Sequence, residues 1–224
     1  MRWASGLLDL VVPIRCAACG EPGESLCEAC RGRLVRIAGT YCGLCGAPTA
    51  WPVERCRECA GRRIAFATAR AAIVYDDPAR RLVAAWKERG LRRLAVQAAE
   101  LVAETVPRPS AYTITFVPAD DDRSLKRGHN PAERLAAELA HTWRLPIVSL
   151  LKRGPGVRPQ RGLSLAERRR NVRNVFQATE PAPRSLVLVD DVYTSGATVS
   201  AAASALRKAG ARRVEVVTFA RAVR

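Results

Sequence analysis

The sequence predicts an α/β protein whose mainly parallel sheet follows a small N-terminal cysteine-rich module. Two observations support this prediction. All eight cysteines lie between Cys16 and Cys59, and the chain beyond them alternates strand-like apolar runs with helical stretches rich in Ala and Leu, the order typical of a parallel sheet. The chain has 224 residues, of which 48% are hydrophobic, which is enough for one good core and one small module.

The amino terminus carries a short apolar run at residues 7–14, which Asp9 interrupts. The run is too short to span a bilayer, and it lacks the small-residue cleavage site of a signal peptide. We expect an amphipathic helix that packs onto the cysteine-rich module, no membrane span and a cytoplasmic location.

Four Cys-x-x-Cys pairs make up the cysteine-rich module. Eight thiolates satisfy two tetrahedral zinc sites, whereas a thioredoxin-like site needs one pair and a disulfide framework needs an oxidising compartment. A zinc ion with four Cys ligands has no open position, so we expect both sites to be structural. Neighbouring and interleaved pairings both satisfy the count, and we favour neighbouring pairs. The predicted ligands are Cys16, Cys19, Cys27, Cys30, Cys42, Cys45, Cys56 and Cys59.

The chain after Cys59 changes to Ala, Val, Leu and Arg, and its patterns predict alternating strands and helices. Strands are expected at residues 69–75, 112–117, 186–190 and 214–219, and helices at residues 78–88, 91–104, 130–143 and 198–209. We therefore expect two domains, a zinc module over residues 1–63 and an α/β domain over residues 64–224.

The segment from Leu186 to Thr198 reads LVLVDDVYTSGAT and is the most informative part of the chain. An uninterrupted apolar strand places Asp190 and Asp191 at its carboxyl end, the edge where ligands bind in open α/β sheets. The carboxylates can accept hydrogen bonds from vicinal hydroxyls or anchor hydrated Mg²⁺. The turn into the next helix offers N–H groups to a phosphate, which predicts a ribose 5-phosphate site. The expected phosphate ligands are Thr194, Ser195, Gly196, Ala197 and Thr198.

This segment resembles the phosphoribosyl pyrophosphate (PRPP) motif of type I phosphoribosyltransferases. The resemblance implies that Asp190 and Asp191 contact the ribose hydroxyls as the catalytic pair, that residues 194–198 wrap the 5-phosphate, and that Mg²⁺ binds with PRPP. An enzyme of this family displaces pyrophosphate from C1 of PRPP by a nitrogen nucleophile. The sequence does not identify the acceptor base.

Three further segments narrow the resemblance to ComF-like competence proteins, in which a double zinc ribbon precedes a phosphoribosyltransferase-like domain. They lie at residues 86–90, 117–130 and 160–172. The resemblance implies that the loop after residue 117 faces the pyrophosphate of PRPP. The implied pyrophosphate contacts are Arg123, Lys126, Arg127 and Gly128, with Lys87 as a second cationic contact. The chain departs from the family pattern at residues 120–122, where three aspartates stand beside this loop.

A basic segment at residues 152–173 precedes the strand with the aspartate pair. Its position makes it a candidate lid over the substrate, and its arginines also suit the phosphates of single-stranded nucleic acid. The formal net charge of +16 predicts attraction to polyanions without choosing among them, and a solvated arginine-rich surface gives the same sum. Arginines beside the cysteine pairs add to this charge; they are Arg31, Arg33, Arg36, Arg55, Arg57, Arg62 and Arg63.

Two functions stay open at this point. The first is a PRPP-binding, phosphoribosyltransferase-like protein that acts in DNA uptake, natural transformation or nucleotide salvage. The second is a non-catalytic protein that binds single-stranded nucleic acid and retains the PRPP-type fold. The expected partners are PRPP or a related ribose phosphate, single-stranded DNA and other competence or DNA-processing proteins.

Overall fold

The computed structural model describes residues 14–88, 93–119, 128–154 and 175–223. The elements within these ranges are, in chain order, α1 (Glu28–Arg33), β1 (Thr68–Val74), α2 (Asp77–Glu88), α3 (Leu94–Thr105), β2 (Ile114–Phe116), α4 (Pro131–Trp143), β3 (Leu151–Arg153), β4 (Phe176–Ala178), β5 (Ser185–Tyr193), α5 (Ala197–Lys208) and β6 (Arg213–Arg221). None of the described helices is long and apolar enough to cross a membrane. The helix expected at the amino terminus lies outside the described residues, apart from residue 14.

The main sheet has the strand order β1-β6-β5-β2, and all its neighbouring strands are parallel. Both faces of a parallel sheet must be covered, which requires strands that are apolar on both faces. The centre of β5 shows this, because Val187 and Val189 pack into one core with α2, α3 and α4. Leu186 and Leu188 pack into a second core, on the other face, with α5. The expected mainly parallel α/β fold is confirmed.

The helices and strands expected after residue 64 are all present, and their observed ends differ from the expected ones by at most three residues. For example, α4 begins where the sequence indicated, since the Asn130 side chain accepts a hydrogen bond from Ala132 N at 3.1 Å and Pro131 opens the first turn. Three short elements, α1, β3 and β4, were not predicted from the sequence. The two strands have three residues each and α1 has six, too few to show a periodic pattern.

The cysteine-rich segment packs against both cores of the α/β domain. Cys16, Leu26 and Cys30 belong to the core that contains α2 and α3, whereas Cys42 and Cys45 belong to the core that contains α5. The two halves of the cysteine-rich segment therefore cover opposite faces of the sheet. The domain boundary between residues 63 and 64 stays a prediction.

A buried arginine joins the second half of the cysteine-rich segment to the end of β6. Arg221 is 1% exposed, and its guanidinium donates hydrogen bonds to the Cys45 carbonyl and to the Glu58 carboxylate, both at 2.8 Å. The same guanidinium lies 4.4 Å from the ring centroid of Tyr193, the last residue of β5. A buried cation is stable only when it is paired and hydrogen-bonded. The Cys45 carbonyl and the Glu58 carboxylate satisfy the two Nη atoms, whereas the buried Nε atom has no hydrogen-bond partner among the described residues.

We expect the substitution Arg221→Met to destabilise the zinc-loaded protein by roughly 2–4 kcal/mol, because the Cys45 carbonyl and the Glu58 carboxylate lose their shared donor. Urea unfolding followed by circular dichroism measures this change. The matched control is Arg80→Met. Arg80 pairs with Asp77 at the surface, where the side chains are 63% and 83% exposed, and we expect a cost within about 1 kcal/mol. Equal costs in the two variants would contradict the role given to Arg221.

Candidate functional site

Neighbouring Cys-x-x-Cys pairs meet in two clusters, in each of which the four Sγ atoms lie within 4.8 Å of one another. The Sγ atoms of Cys19 and Cys27 are 3.7 Å apart, and those of Cys45 and Cys56 are 3.6 Å apart. A tetrahedron with Zn–S bonds of about 2.3 Å has edges of about 3.8 Å, so the clusters have the size that zinc requires. The neighbouring pairing is confirmed. The first cluster is Cys16, Cys19, Cys27 and Cys30, and the second is Cys42, Cys45, Cys56 and Cys59.

Hydrogen bonds from backbone N–H groups stabilise the ionised form of one thiol in each cluster. The amide of Cys27 donates to the Cys16 sulfur at 3.5 Å, and the amide of Cys56 donates to the Cys42 sulfur at 3.2 Å. Burial opposes ionisation of both thiols, but these and neighbouring hydrogen bonds outweigh it and lower the pKa of Cys16 to about 6 and that of Cys42 to about 7. Since the thiolate is the form that binds metal, the donor set fits two closed, structural zinc sites.

The two aspartates lie in the last part of β5, as expected. The Asp191 Oδ2 atom is 2.5 Å from the Lys87 Nζ atom, which comes from the end of α2. The Asp190 Oδ1 atom accepts a hydrogen bond from the Asp191 amide at 2.9 Å. The structure thus brings three of the predicted site residues together. It also places the Lys87 ammonium on the aspartate pair, where the sequence analysis expected a contact with pyrophosphate.

The two carboxyl groups of the aspartate pair have different surroundings. Burial and the neighbouring Asp191 carboxylate raise the pKa of Asp190 to about 8, and the Asp191 amide, Lys87 and Arg153 reverse this only in part. Asp190 is therefore a weaker acid than a free aspartate, and it lies beside the ion-paired Asp191. Such a pair can both donate and accept hydrogen bonds, which are the interactions that a vicinal diol makes.

The loop between β5 and α5 is short and tightly turned. Its last residue, Gly196, is the N-cap of α5 and has φ of +72°. A Cβ atom at this position would collide with the phenol of Tyr193, so both the backbone conformation and the available space require glycine. Thr194, Ala197 and Thr198 are exposed, and the first turn of a helix presents N–H groups without partners inside the helix. Residues 194–198 thus form a loop that suits an anion, here called the phosphate loop.

The loop after β2 begins and ends at the same edge of the sheet. Val117, just beyond β2, donates its amide to the Val189 carbonyl of β5 at 2.9 Å. The Asn130 amide group donates to the Val117 carbonyl at 3.1 Å and so holds the start of α4 there. Gly128 lies two residues before Asn130 with φ of +66°. Of the expected pyrophosphate contacts, Arg123, Lys126 and Arg127 lie outside the described residues, as do the three aspartates before them.

The basic segment at residues 152–173 is described only up to residue 154. Its described part includes Arg153, whose positive charge acts on Asp190 to lower the pKa of that carboxyl. The rest of the candidate lid lies outside the described residues, so both of its expected roles stay predictions.

Several residues that hold the phosphate loop were not predicted from the sequence. Tyr193 packs edge-on against Phe66, with ring centroids 6.3 Å apart, and under the guanidinium of Arg221. Arg62 Nη2 donates to the Ser195 carbonyl at 2.7 Å. By sequence, Arg62 is one of the arginines beside the cysteine pairs, and no periodic pattern connects it with Ser195, 133 positions further along the chain.

Two family models match this chain, each on one part of it. Residues 7–60 match the double zinc ribbon domain, and residues 125–223 match the phosphoribosyl transferase domain. Among curated relatives, competence protein F of Haemophilus influenzae is 29% identical over 211 residues, which cover 89% of this chain and 91% of that protein. DNA utilization protein YhgH of Salmonella typhi is 29% identical over 223 residues, which cover 92% of this chain and 96% of that protein.

The comparison with solved structures finds partial likeness. The glutamine PRPP amidotransferase of Bacillus subtilis, complexed with ADP and GMP, is 25% identical with a TM-score of 0.39, over 57% of this chain and 25% of that chain.

The fold, the cysteine clusters and the two family models together define a class of protein, in which a double zinc ribbon precedes a phosphoribosyltransferase-like domain. The curated relatives match this chain across both parts. The two matched domains and the relatives named as competence and DNA utilization proteins support the ComF family that the sequence predicts.

We expect the purified protein to contain two zinc ions per chain, one for each cysteine cluster. The variants Cys19→Ser and Cys45→Ser should each lose one zinc ion, because each removes a ligand from a different cluster, and each is the control for the other. Metal analysis by mass spectrometry measures the zinc content. A zinc-free protein with an unchanged thermal midpoint would contradict the assignment, since a structural zinc site contributes on the order of 10 kcal/mol to folding.

We expect the substitution Gly196→Ala to cost more stability than Gly61→Ala. Both glycines have φ near +70°, but an added Cβ meets nothing within 4 Å at Gly61 and collides with Tyr193 at Gly196. The left-handed backbone costs about 1–2 kcal/mol in both variants, and the collision should add about 1–3 kcal/mol in Gly196→Ala. Chemical unfolding of the zinc-loaded variants measures the difference. Equal costs would show that Tyr193 moves aside freely.

Proposed function

We propose that this protein binds the ribose 5-phosphate part of PRPP at the sheet edge where β5 and β2 end, and that it acts as a phosphoribosyltransferase. One observation carries the proposal: the paired aspartates and the phosphate loop follow one another at the end of β5, at the carboxyl edge of the parallel sheet. The family model supports the class of activity, since it is that of a phosphoribosyl transferase domain.

The aspartate pair would bind the two ribose hydroxyls. Lys87 occupies Asp191 Oδ2, which leaves Oδ1 as the acceptor on that side. The Asp190 carboxyl is positioned by the Asp191 amide and would exchange hydrogen bonds with the second hydroxyl. The N–H groups of the phosphate loop and the dipole of α5 would hold the 5-phosphate.

This arrangement would place the anomeric carbon between two fixed points, the 5-phosphate and the diol. A nitrogen nucleophile then forms the new bond to C1, and pyrophosphate leaves with the bonding electron pair. The contribution of the protein is positional and electrostatic, because no covalent intermediate is required. Mg²⁺ prefers ionised carboxylate oxygens, so Asp191 and, once it has lost its proton, Asp190 would hold a magnesium ion bound with PRPP. That ion would neutralise part of the pyrophosphate charge.

We place this activity in the uptake or use of DNA, because the relatives are named as a competence protein and a DNA utilization protein. A role in nucleotide salvage uses the same chemistry and differs only in the acceptor base.

Single-stranded DNA binding is the second candidate function, and one exposed side chain favours it. Trp51 is 69% exposed on the second half of the zinc ribbon segment, with exposed Arg55 and Arg57 close by in the chain. An exposed indole can stack on bases of any sequence, and nearby arginines neutralise the phosphates. The net charge of +16 is of the right sign for this partner.

We expect calorimetry to show binding of PRPP with Mg²⁺ to the zinc-loaded protein and at least about a 100-fold loss in the double variant Asp190→Ala/Asp191→Ala, because hydrogen bonds to charged groups are worth about 1.5–3 kcal/mol each. The control is Asp77→Ala, which removes a carboxylate that is 83% exposed at the start of α2 and should bind normally. Pyrophosphate release with a panel of nucleobases then tests turnover.

The absence of PRPP binding to the folded wild-type protein would contradict the proposed function. Titration of fluorescent single-stranded DNA at several salt concentrations would then test the second candidate. A steep loss of affinity with salt, and a weaker affinity in Trp51→Ala, would support it.

A further inference from the structure

The chain segment that leaves the second cysteine cluster lies along the phosphate loop. Arg62 Nη2 donates to the Ser195 carbonyl at 2.7 Å, and the Ala65 amide donates to the Ser200 hydroxyl of α5 at 3.3 Å. Arg62 is itself tied to the cluster, because its amide donates to the Cys59 carbonyl at 3.2 Å. A continuous set of hydrogen bonds thus leads from a zinc ligand to the phosphate loop.

The contact with the Ser195 carbonyl controls more than that oxygen atom. The Ser195 C=O and the Gly196 N–H belong to one planar peptide unit, and in a trans peptide these two groups point in opposite directions. The described peptide bonds include no cis form. When Arg62 holds the Ser195 oxygen on the ribbon side, the Gly196 N–H must therefore point away from the ribbon.

Tyr193 limits the other conformations that this peptide could adopt. Its phenol fills the space beside Gly196 where a Cβ atom would lie. The Tyr193 ring is itself held by Arg221, which donates to the carbonyl of Cys45. Tyr193 and Ser195, at the two ends of the turn, are thus held by Arg221 and Arg62, which are both hydrogen-bonded to the second cluster. The first cluster contacts a different element: Arg31, which follows it, pairs with Glu100 and Glu104 of α3.

We propose that Arg62 is a positioning residue of the phosphate loop. It orients the Ser195–Gly196 peptide so that the Gly196 amide donates to the 5-phosphate. The second zinc ribbon thus contributes to the ribose-phosphate site through the position of Arg62. The inference rests on the proposed function. Arg62 lies in neither of the ranges that match the family models, which end at residue 60 and begin again at residue 125.

The test compares PRPP binding by three zinc-loaded variants. We expect Arg62→Ala to weaken binding about 10-fold, and Arg62→Lys, which keeps the charge and one donor, to recover part of that loss. The matched control is Arg63→Ala. Arg63 is the next residue in the chain, is also exposed and carries the same charge, so this variant should bind within about twofold of wild type.

A second readout follows the Gly196 amide directly. In a ¹H–¹⁵N spectrum of the wild-type protein, the Gly196 resonance should shift when PRPP and Mg²⁺ are added, because its N–H acquires an anionic acceptor. The shift should be much smaller in Arg62→Ala and intermediate in Arg62→Lys. A role confined to stability would leave the ligand-induced shift in place.

The outcomes separate the two proposals. If wild type does not bind PRPP, the proposed function fails and the inference fails with it. If wild type binds but Arg62→Ala and Arg63→Ala lose affinity equally, only general charge matters, and the inference alone is overturned. A loss of zinc from Arg62→Ala would also overturn it, since Arg62 would then support the ribbon and not the loop. Zinc content is therefore measured in every variant.

Discussion

The buried guanidinium of Arg221 is the interaction on which the rest of the structure depends. It lies at the end of β6 and contacts the second cysteine cluster, Glu58 and the ring of Tyr193. A charge that is 1% exposed is tolerated only while each of these partners is in place. The zinc ribbon, the central strands and the phosphate loop must therefore adopt one relative arrangement.

Parallel strands give this arrangement its functional edge. The β2 and β5 strands pair in parallel, so their carboxyl ends meet at the same side of the sheet. The same edge carries the aspartate pair, Lys87 from the end of α2 and the phosphate loop. The raised pKa of Asp190 follows from this placement, because burial and a second carboxylate act on one group. The chemistry of the site is thus a consequence of strand direction and helix packing.

Much of the site was predictable because its parts are local in sequence. Each of these parts falls within a few positions of the chain, so its residue types and spacing indicate its chemistry. The parts are the pair Asp190 and Asp191, the small residues that follow and the Cys-x-x-Cys pairs. The contact of Arg62 with Ser195 and the ion pair of Lys87 with Asp191 were not predictable, since they join distant parts of the chain. The short strands β3 and β4 were missed for a different reason, because three residues show no period.

The sequence by itself determined the class of fold, the two cysteine clusters, the position of the aspartate pair and the resemblance to ComF-like proteins, because each depends on residue type and near-neighbour spacing. Only the tertiary structure decided which cysteine pairs share a metal, where the Lys87 ammonium lies and which residues hold the phosphate loop. Those features depend on how distant segments pack. A side chain such as Arg62 gains its role from the surface it meets, and that surface is assembled only when the ribbon folds against the sheet.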